Sequence, residues 1–343
     1  MKRIKGLDSI RFICAIYVLL GHFGIPFIPN LMKNPNIDGL LLNLIKVFSL
    51  TFNGPAAVIV FFIISGFCIN YPYQQEKKID LLPYYSRRLL RIGIPAIVAA
   101  MICYKFNSLG KFPDYGVFWS IICEVIYYLI FPILFYIRKI IKWQYIVIAA
   151  YIICFTTLLL NPGLLIAKSN DYPAMGIFTW VIGLPCWLLG CWLSENYHRF
   201  TTPTISKIWV LRFCMITGAL LLNIIKFHAP TVFASNCYTL NIFAIPAMMW
   251  LAYEIMYFEH ANPSSLLEKG GKWSYSLYII HPATIGFFIY YKIGDLTNMQ
   301  LPILTCSLVF AYVFYLIIEK PSHKFSSFVS KKIRTRSKLL LQN

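Results

Sequence analysis

Charge is what this sequence has least of. Of its 343 residues 13% are charged and only 13 are acidic, about half the charge of a soluble domain. With 59% hydrophobic residues and a mean hydropathy of +0.66, a water-soluble globule is excluded. An all-α polytopic membrane bundle is expected instead. No hydrophilic stretch is long enough for a second domain, so residues 1–343 read as one integral-membrane domain with a basic tail at 320–343. No CxxC pair occurs among the ten scattered cysteines, which argues against a zinc site or a disulfide framework and leaves them as small packing residues. No metal site is expected. Internal repeats of the transporter kind are missing, and no small-residue cleavage site follows "MKRIK", so the start reads as uncleaved.

What the chain does have is apolar runs of about 20 residues, the length that crosses a bilayer. Ten are expected: 9–28, 54–72, 87–105, 118–137, 144–160, 174–194, 208–227, 238–258, 273–292 and 301–319. The longest loop, 29–53, contains "IDGLLLNLIKVFSL", which suits an amphipathic helix on the membrane surface. With ten spans and both termini inside, 24 of the 31 Lys and Arg residues fall on the cytoplasmic face and 7 on the outer face. That asymmetry supports cytoplasmic termini. The net charge of +18 is then mostly topological. "KKIRTRSK" in the tail would attract anionic lipid, and nucleic acid is not an expected partner.

A few charges sit where lipid or protein must cover them. "LDSIRFICAIYVLLGHF" (residues 7–23) carries Arg11 at its entrance and His22 eleven residues further in. Eleven residues make about three turns, so both side chains share one face, about 16 Å apart along the axis. "SRRLLRIGIP" opens the third span with Arg87, Arg88 and Arg91. Stop-transfer charge explains these as simply as a site does. Arg11, Arg88 and Arg91 would nonetheless lie at one inner depth, and guanidinium forks suit a multiply charged phosphate.

In the fourth span, "FWSIICEVIYYLIFP" places Glu124 well inside the apolar run, with Tyr128 and Pro132 following at intervals of four on one face. A carboxylate there is either functional or one half of a structural ion pair. The opposite directions of the first and fourth spans put His22 and Glu124 at similar depth in the outer half. A carboxylate beside an imidazole can fix its tautomer and raise its basicity, as a general base requires. Composition and depth thus suggest a phosphate-bearing donor from the cytoplasm and a hydroxyl acceptor from outside.

Together these segments resemble acyltransferase family 3, integral membrane O-acyltransferases. "LDSIRFICAIYVLLGHF", "FFIISGF" (61–67), "RRLLRIGIP", "WSIICEVIYYLIFP", "SYSLYIIHP" (274–282) and "IEKP" (318–321) are similar to that family's motifs and come in its order. Ser9 and Phe12 depart from the usual small residues, and "SIICE" is less polar than usual. The resemblance implies acyl-CoA, most simply acetyl-CoA, as co-substrate with no bound cofactor. It implies a hydroxyl of an envelope or exported carbohydrate, such as O-antigen, capsule or exopolysaccharide, as acceptor, and the bacterial inner membrane as location. Arg11, Arg88 and Arg91 would then hold the CoA phosphates, while His22 acts as base with Glu124 orienting it. Ser120 or Tyr128 would contact the oxyanion. His281 would either line the same cavity or be structural. The alternative from another class is a transporter or flippase of a glycolipid or small solute, which has buried charges but no chemistry.

Overall fold

The structure is a computed structural model describing residues 4–26, 28–32, 38–110, 116–167, 171–229, 231–294 and 299–340. Lys2, Arg3, Lys33, Lys111 and Lys168 of the charge count lie outside the described residues, as do 341–343 of the tail and the side chains of Arg336 and Lys338.

Each expected apolar run overlaps a helix, but the first, expected over 9–28, ends at Phe23, where Gly24 at φ 74° stops it. The long helices are α1 (Leu7–Phe23), α2 (Gly39–Leu50), α3 (Gly54–Asn70), α4 (Leu81–Lys105), α5 (Phe118–Ile137), α6 (Trp143–Leu160), α7 (Thr179–Asn196), α8 (Ile205–His228), α9 (Asn236–His260), α10 (Ser274–Tyr290), α11 (Gln300–Phe314) and α12 (Lys320–Leu340). Among the described residues there is no strand. Seven helical runs are long and apolar enough to cross a membrane: Gly39–Tyr73, Phe118–Ile137, Trp143–Leu160, Tyr172–Arg199, Ile205–His228, Asn236–His260 and Gln300–Thr335. The chain is therefore an all-α, multi-pass membrane protein. Helices α1 and α10 are only 17 residues each, and α4 carries Arg87, Arg88 and Arg91 near its start.

The bundle is organised around α3. Fourteen of its 17 residues are buried, as expected of a helix apolar all round. Its start is capped by Asn53, whose side chain accepts from the Ala56 N–H at 3.0 Å and donates to the Ala219 carbonyl at 3.0 Å. Against α7 its backbone meets its neighbour's directly. A methyl group added at Gly66 would overlap the Trp187 carbonyl, and one at Gly190 would overlap that of Ile63. Water gives no hydrophobic drive between helices in lipid, so close backbone approach through small residues supplies the packing. The Gly of "FFIISGF" has that role.

Helices α6 and α8 sit at the rim. Ile152, Leu160, Trp209 and Phe213 are exposed, the apolar exterior that lipid requires. The segment expected to lie on the membrane surface forms α2, which buries no residue and starts at Asp38, whose carboxylate accepts from the Leu40 N–H at 3.2 Å.

Two departures matter for the site. The expected span 174–194 begins as a helix only at Thr179, because a 3-10 turn with Gly176 at φ 56° precedes it. The expected tail at 320–343 is not a separate appendage. After a π-turn at Tyr315–Glu319 the chain continues as α12, packed along α4. The Ser330 hydroxyl donates to the Pro83 carbonyl at 3.0 Å, and Arg334 lies 3.4 Å from Asp80.

The start of α1 is set by a short helix, Ser265–Gly271. Glu268 accepts from the N–H groups of Gly6 and Ser9 at 3.2 Å and from the Ser9 hydroxyl at 2.9 Å. A carboxylate at a helix N-terminus satisfies orphan donors and complements the dipole. Ser9, the departure from the usual small residue, thus earns a partner of its own.

Candidate active site

Two cavities lie at opposite ends of α1. Arg11 lines a cavity of about 1070 Å³, called inner, as the His22 pocket is called outer, after the orientation expected from the charge asymmetry. His22 lines an outer pocket of about 630 Å³. The helix that carries both residues thus has one cavity at each end.

The inner cavity is walled by α1, α3, α4, α5, α10 and α12. It collects eight basic and five acidic side chains. Arg11, Arg88 and Arg91 all line it, so the structure brings together the three arginines expected to share one depth. Tyrosines fix their helix: Tyr84 donates to the Tyr128 carbonyl at 2.9 Å, Tyr85 to the Leu129 carbonyl at 3.0 Å, and Tyr275 to the Ile92 carbonyl at 3.0 Å. The first two tie α4 to α5, and the third ties α10 to α4 beside Arg91. Arg91 Nε donates to His323 Nε2 at 3.0 Å. Arg88 lies 5.9 Å from the Tyr128 ring centre, and Arg11 lies 3.8 Å from Asp8.

Glu124 belongs to this inner cavity. It accepts from the Ser65 hydroxyl at 2.5 Å and from the Tyr128 hydroxyl. Ser65 also accepts from Trp187 Nε1 at 3.3 Å. Ser65, the other half of the Ser-Gly pair in "FFIISGF", is therefore a partner that sequence reasoning missed. A serine in a fully apolar helix was the available signal. Ser120 also lines the inner cavity, with Oγ 2.6 Å from the Tyr278 hydroxyl and 3.0 Å from the Val117 carbonyl.

His22 meets a different partner. Its Nδ1 lies 3.1 Å from His281 Nε2, while His281 Nδ1 lies 3.1 Å from the Leu277 carbonyl. A carbonyl can only accept, so the hydrogen-bond geometry assigns the proton of neutral His281 to Nδ1. His281 Nε2 then presents a lone pair, and His22 must donate from Nδ1. What remains on His22 is an unprotonated Nε2. His281 is 1% exposed, and His22 lies open to the pocket. The carboxylate expected beside His22 is thus replaced by a second imidazole. Glu124, expected at the depth of His22, instead lines the cavity at the Arg11 end of α1.

Tyr278 stands between the chambers, one turn inward of His281 on α10. It lines the inner cavity, and its ring lies 6.3 Å from His281 and 5.7 Å from Phe61. Glu319, in the π-turn, is buried and accepts from Ser276 Oγ at 2.5 Å and from its N–H at 3.2 Å. A π-turn inside a helix often marks a functional site, and this one aims the "IEKP" carboxylate at the motif "SYSLYIIHP".

The acyltransferase domain family matches residues 4–320. The chain belongs to acyltransferase family 3. No curated protein and no solved structure gives a match. The matched stretch contains every residue that carries the chemistry above except His323 and the rest of α12. As a membrane acyltransferase, the protein needs an activated acyl donor, a nucleophile and a base. The outer pocket holds a candidate for the last.

Proposed function

We propose that this acyltransferase moves an acyl group, most simply acetyl, from cytoplasmic acyl-CoA to a hydroxyl of an envelope or exported carbohydrate. The observation that carries this reading is the pairing of an arginine-rich inner cavity with an outer imidazole pocket on one helix. Ten spans with both termini in the cytoplasm, as in a bacterial inner-membrane protein, turn the arginines toward the donor. They turn His22 toward an exported acceptor. The charge asymmetry of 24 against 7 supports that orientation.

In this scheme Arg11, Arg88 and Arg91 bind the donor's phosphates through charge-assisted forks. The pantetheine arm extends along the α1 face toward His22. The acceptor hydroxyl gives its proton to His22 Nε2 as its oxygen attacks the thioester carbonyl. The tetrahedral oxyanion collapses with cleavage of the carbon–sulfur bond. The departing CoA thiolate takes the proton back from the imidazolium, leaving an O-acyl ester and free CoA thiol. His281 keeps His22 in the tautomer that can accept. Glu124, with Ser65 and Tyr128, shapes the wall the arm must pass rather than orienting His22. Tyr278 and Ser120 stand where the arm would cross between the chambers.

The outer pocket suits a sugar. Phe23, Phe106 and Tyr290 offer ring faces, and Asn107 and Ser108 offer hydrogen-bonding groups, the mixture of apolar walls and few polar groups that orients a ligand.

Two measurements test the proposal. Mass spectrometry of surface polysaccharide should lose the mass of one acyl group per modified sugar when the protein is removed, and regain it on complementation. An unchanged polysaccharide together with an unacylated glycolipid or peptide would redirect the acceptor. Reporter fusions to the C-terminus should be active only in the cytoplasm, and activity outside would reverse the orientation.

A further inference from the structure

The tail helix forms one wall of the inner cavity. Five residues of α12 line the inner cavity: His323, Ser327, Ser330, Lys331 and Arg334. Their spacings of four, three, one and three are those of a single helix face. The opposite face carries Phe325 and Phe328, both exposed. The amphipathic pattern is thus resolved: one stripe faces the cavity and an apolar stripe faces outward. A tail that merely attracted lipid would need neither the register nor the latches. Arg91 to His323, Pro83 to Ser330 and Asp80 to Arg334 hold α12 against α4 at three successive levels.

The cations of this stripe form a second tier. Lys331 and Arg334 lie eight and eleven residues beyond His323, hence about 12 and 16 Å outward from the Arg91 level. Lys78 and Arg87 join them on the same lining. Asp80 and Glu76 are the carboxylates among them, and Asp80 is the one that pairs with Arg334. An inner tier of three arginines and an outer tier of four cations call for a ligand with two separated anionic groups. An acyl-pantetheine on a carrier protein has only one.

Resting on the acyl-CoA reading above, the geometry points to full coenzyme A as donor, with its ribose 3′-phosphate bound by Lys331 and Arg334 of α12. The diphosphate then occupies the Arg11, Arg88 and Arg91 tier. The ribose and the long basic side chains span the gap together. Cytoplasmic acyl carriers that lack the 3′-phosphate are selected against at this mouth.

The experiment compares binding of acetyl-CoA and of acetyl-3′-dephospho-CoA to the purified full-length protein in detergent. The wild type should prefer the 3′-phosphorylated donor. Lys331→Ala and Arg334→Ala should each erode that preference by roughly three- to tenfold, a modest figure because exposed charges are screened. Affinity for the dephospho donor should barely move. Lys332→Ala removes the same charge next door, from a side chain that does not line the cavity, and should leave the preference intact.

Equal losses for both donors would overturn the assignment, placing α12 on the diphosphate. A Lys332→Ala effect equal to that of Lys331→Ala would also overturn it, leaving only a diffuse field or a lipid contact. Transfer from dephospho-CoA as efficient as from CoA in the wild type would do the same. A wild type that neither binds nor uses any acyl-CoA is a separate failure, that of the donor reading itself. It takes this proposal with it.

Discussion

His281 Nε2 lies 3.1 Å from His22 Nδ1, and the far nitrogen of His281 is committed to the Leu277 carbonyl. That chain of hydrogen bonds aims a lone pair of His22 at the outer pocket. It does so without placing a buried negative charge behind the imidazole. A neutral partner fixes the tautomer yet does little to stabilise an imidazolium, so the base is oriented more than it is strengthened.

Removing His22 should therefore abolish chemistry and spare binding. His22→Ala is expected to lower transfer about 10²- to 10⁴-fold, the usual worth of a general base, with acyl-CoA affinity unchanged. His22→Gln should rescue little, because an amide cannot take a proton at neutral pH. Near-normal turnover of His22→Ala in detergent would make this histidine structural.

His281 should behave as a positioning residue. Losing its hydrogen bond costs about 0.5–1.5 kcal/mol, or roughly 2- to 12-fold in kcat. His281→Gln should recover part of this, since its carbonyl can still accept from His22 Nδ1. The expected fall is in kcat, with donor KM little changed. A loss in His281→Ala as deep as that of His22→Ala would instead assign the base to His281.

The inner arginines should act on the donor alone. Arg88→Ala or Arg91→Ala removes a charge-assisted contact worth about 1.5–3 kcal/mol, about 10- to 150-fold in acyl-CoA affinity. Titration of acyl-CoA into purified protein reads this directly. Unchanged affinity in both variants removes the inner phosphate site.

Much of this arrangement is legible in the sequence, for physical reasons. Lipid demands apolar runs of fixed length, so the helices are visible from hydropathy alone. Helical geometry makes the shared face of Arg11 and His22 a matter of counting. The depth of Arg11, Arg88 and Arg91 follows from the direction of each span. What hydropathy does not carry is how each helix is turned about its own axis. Counting along the spans suggests one depth for Glu124 and His22, yet Glu124 meets Ser65 and Tyr128 in the cavity that Arg11 lines. Likewise the low hydropathy after Glu319 reads as a tail, although α12 continues the helix and packs on α4. Its stripe becomes visible only once a partner surface is known.

Packing of α3 on α7 makes a stability prediction that is independent of the chemistry. Gly66→Ala must push the backbones apart, and overpacking of this kind costs about 1–3 kcal/mol or more. Gly93, in the arginine motif of α4, has nothing within 4 Å of where its Cβ would be. Gly93→Ala should be tolerated or slightly stabilising, since alanine favours the helix. Thermal unfolding in detergent compares the two. Equal stability of both variants would contradict the close approach of α3 and α7.

Glu124 decides between the expected and the observed arrangement. If its carboxylate serves Ser65 and Tyr128 on the donor side, Glu124→Gln and Ser65→Ala damage the same contact. Their effects on transfer should then be coupled by about 0.5–3 kcal/mol, as for residues sharing one hydrogen-bond network. Glu124→Gln combined with His281→Gln should be additive within about 0.5 kcal/mol, because the two sit in separate networks. The same cycles run on acyl-CoA binding should show the Glu124–Ser65 coupling again and none for His281. Strong coupling of Glu124 to His281, with none to Ser65, would restore the carboxylate–imidazole pair that depth alone suggests. In that case the tautomer of His22 would be set from α5, and His281 would be left with its bond to the Leu277 carbonyl as a structural residue of α10.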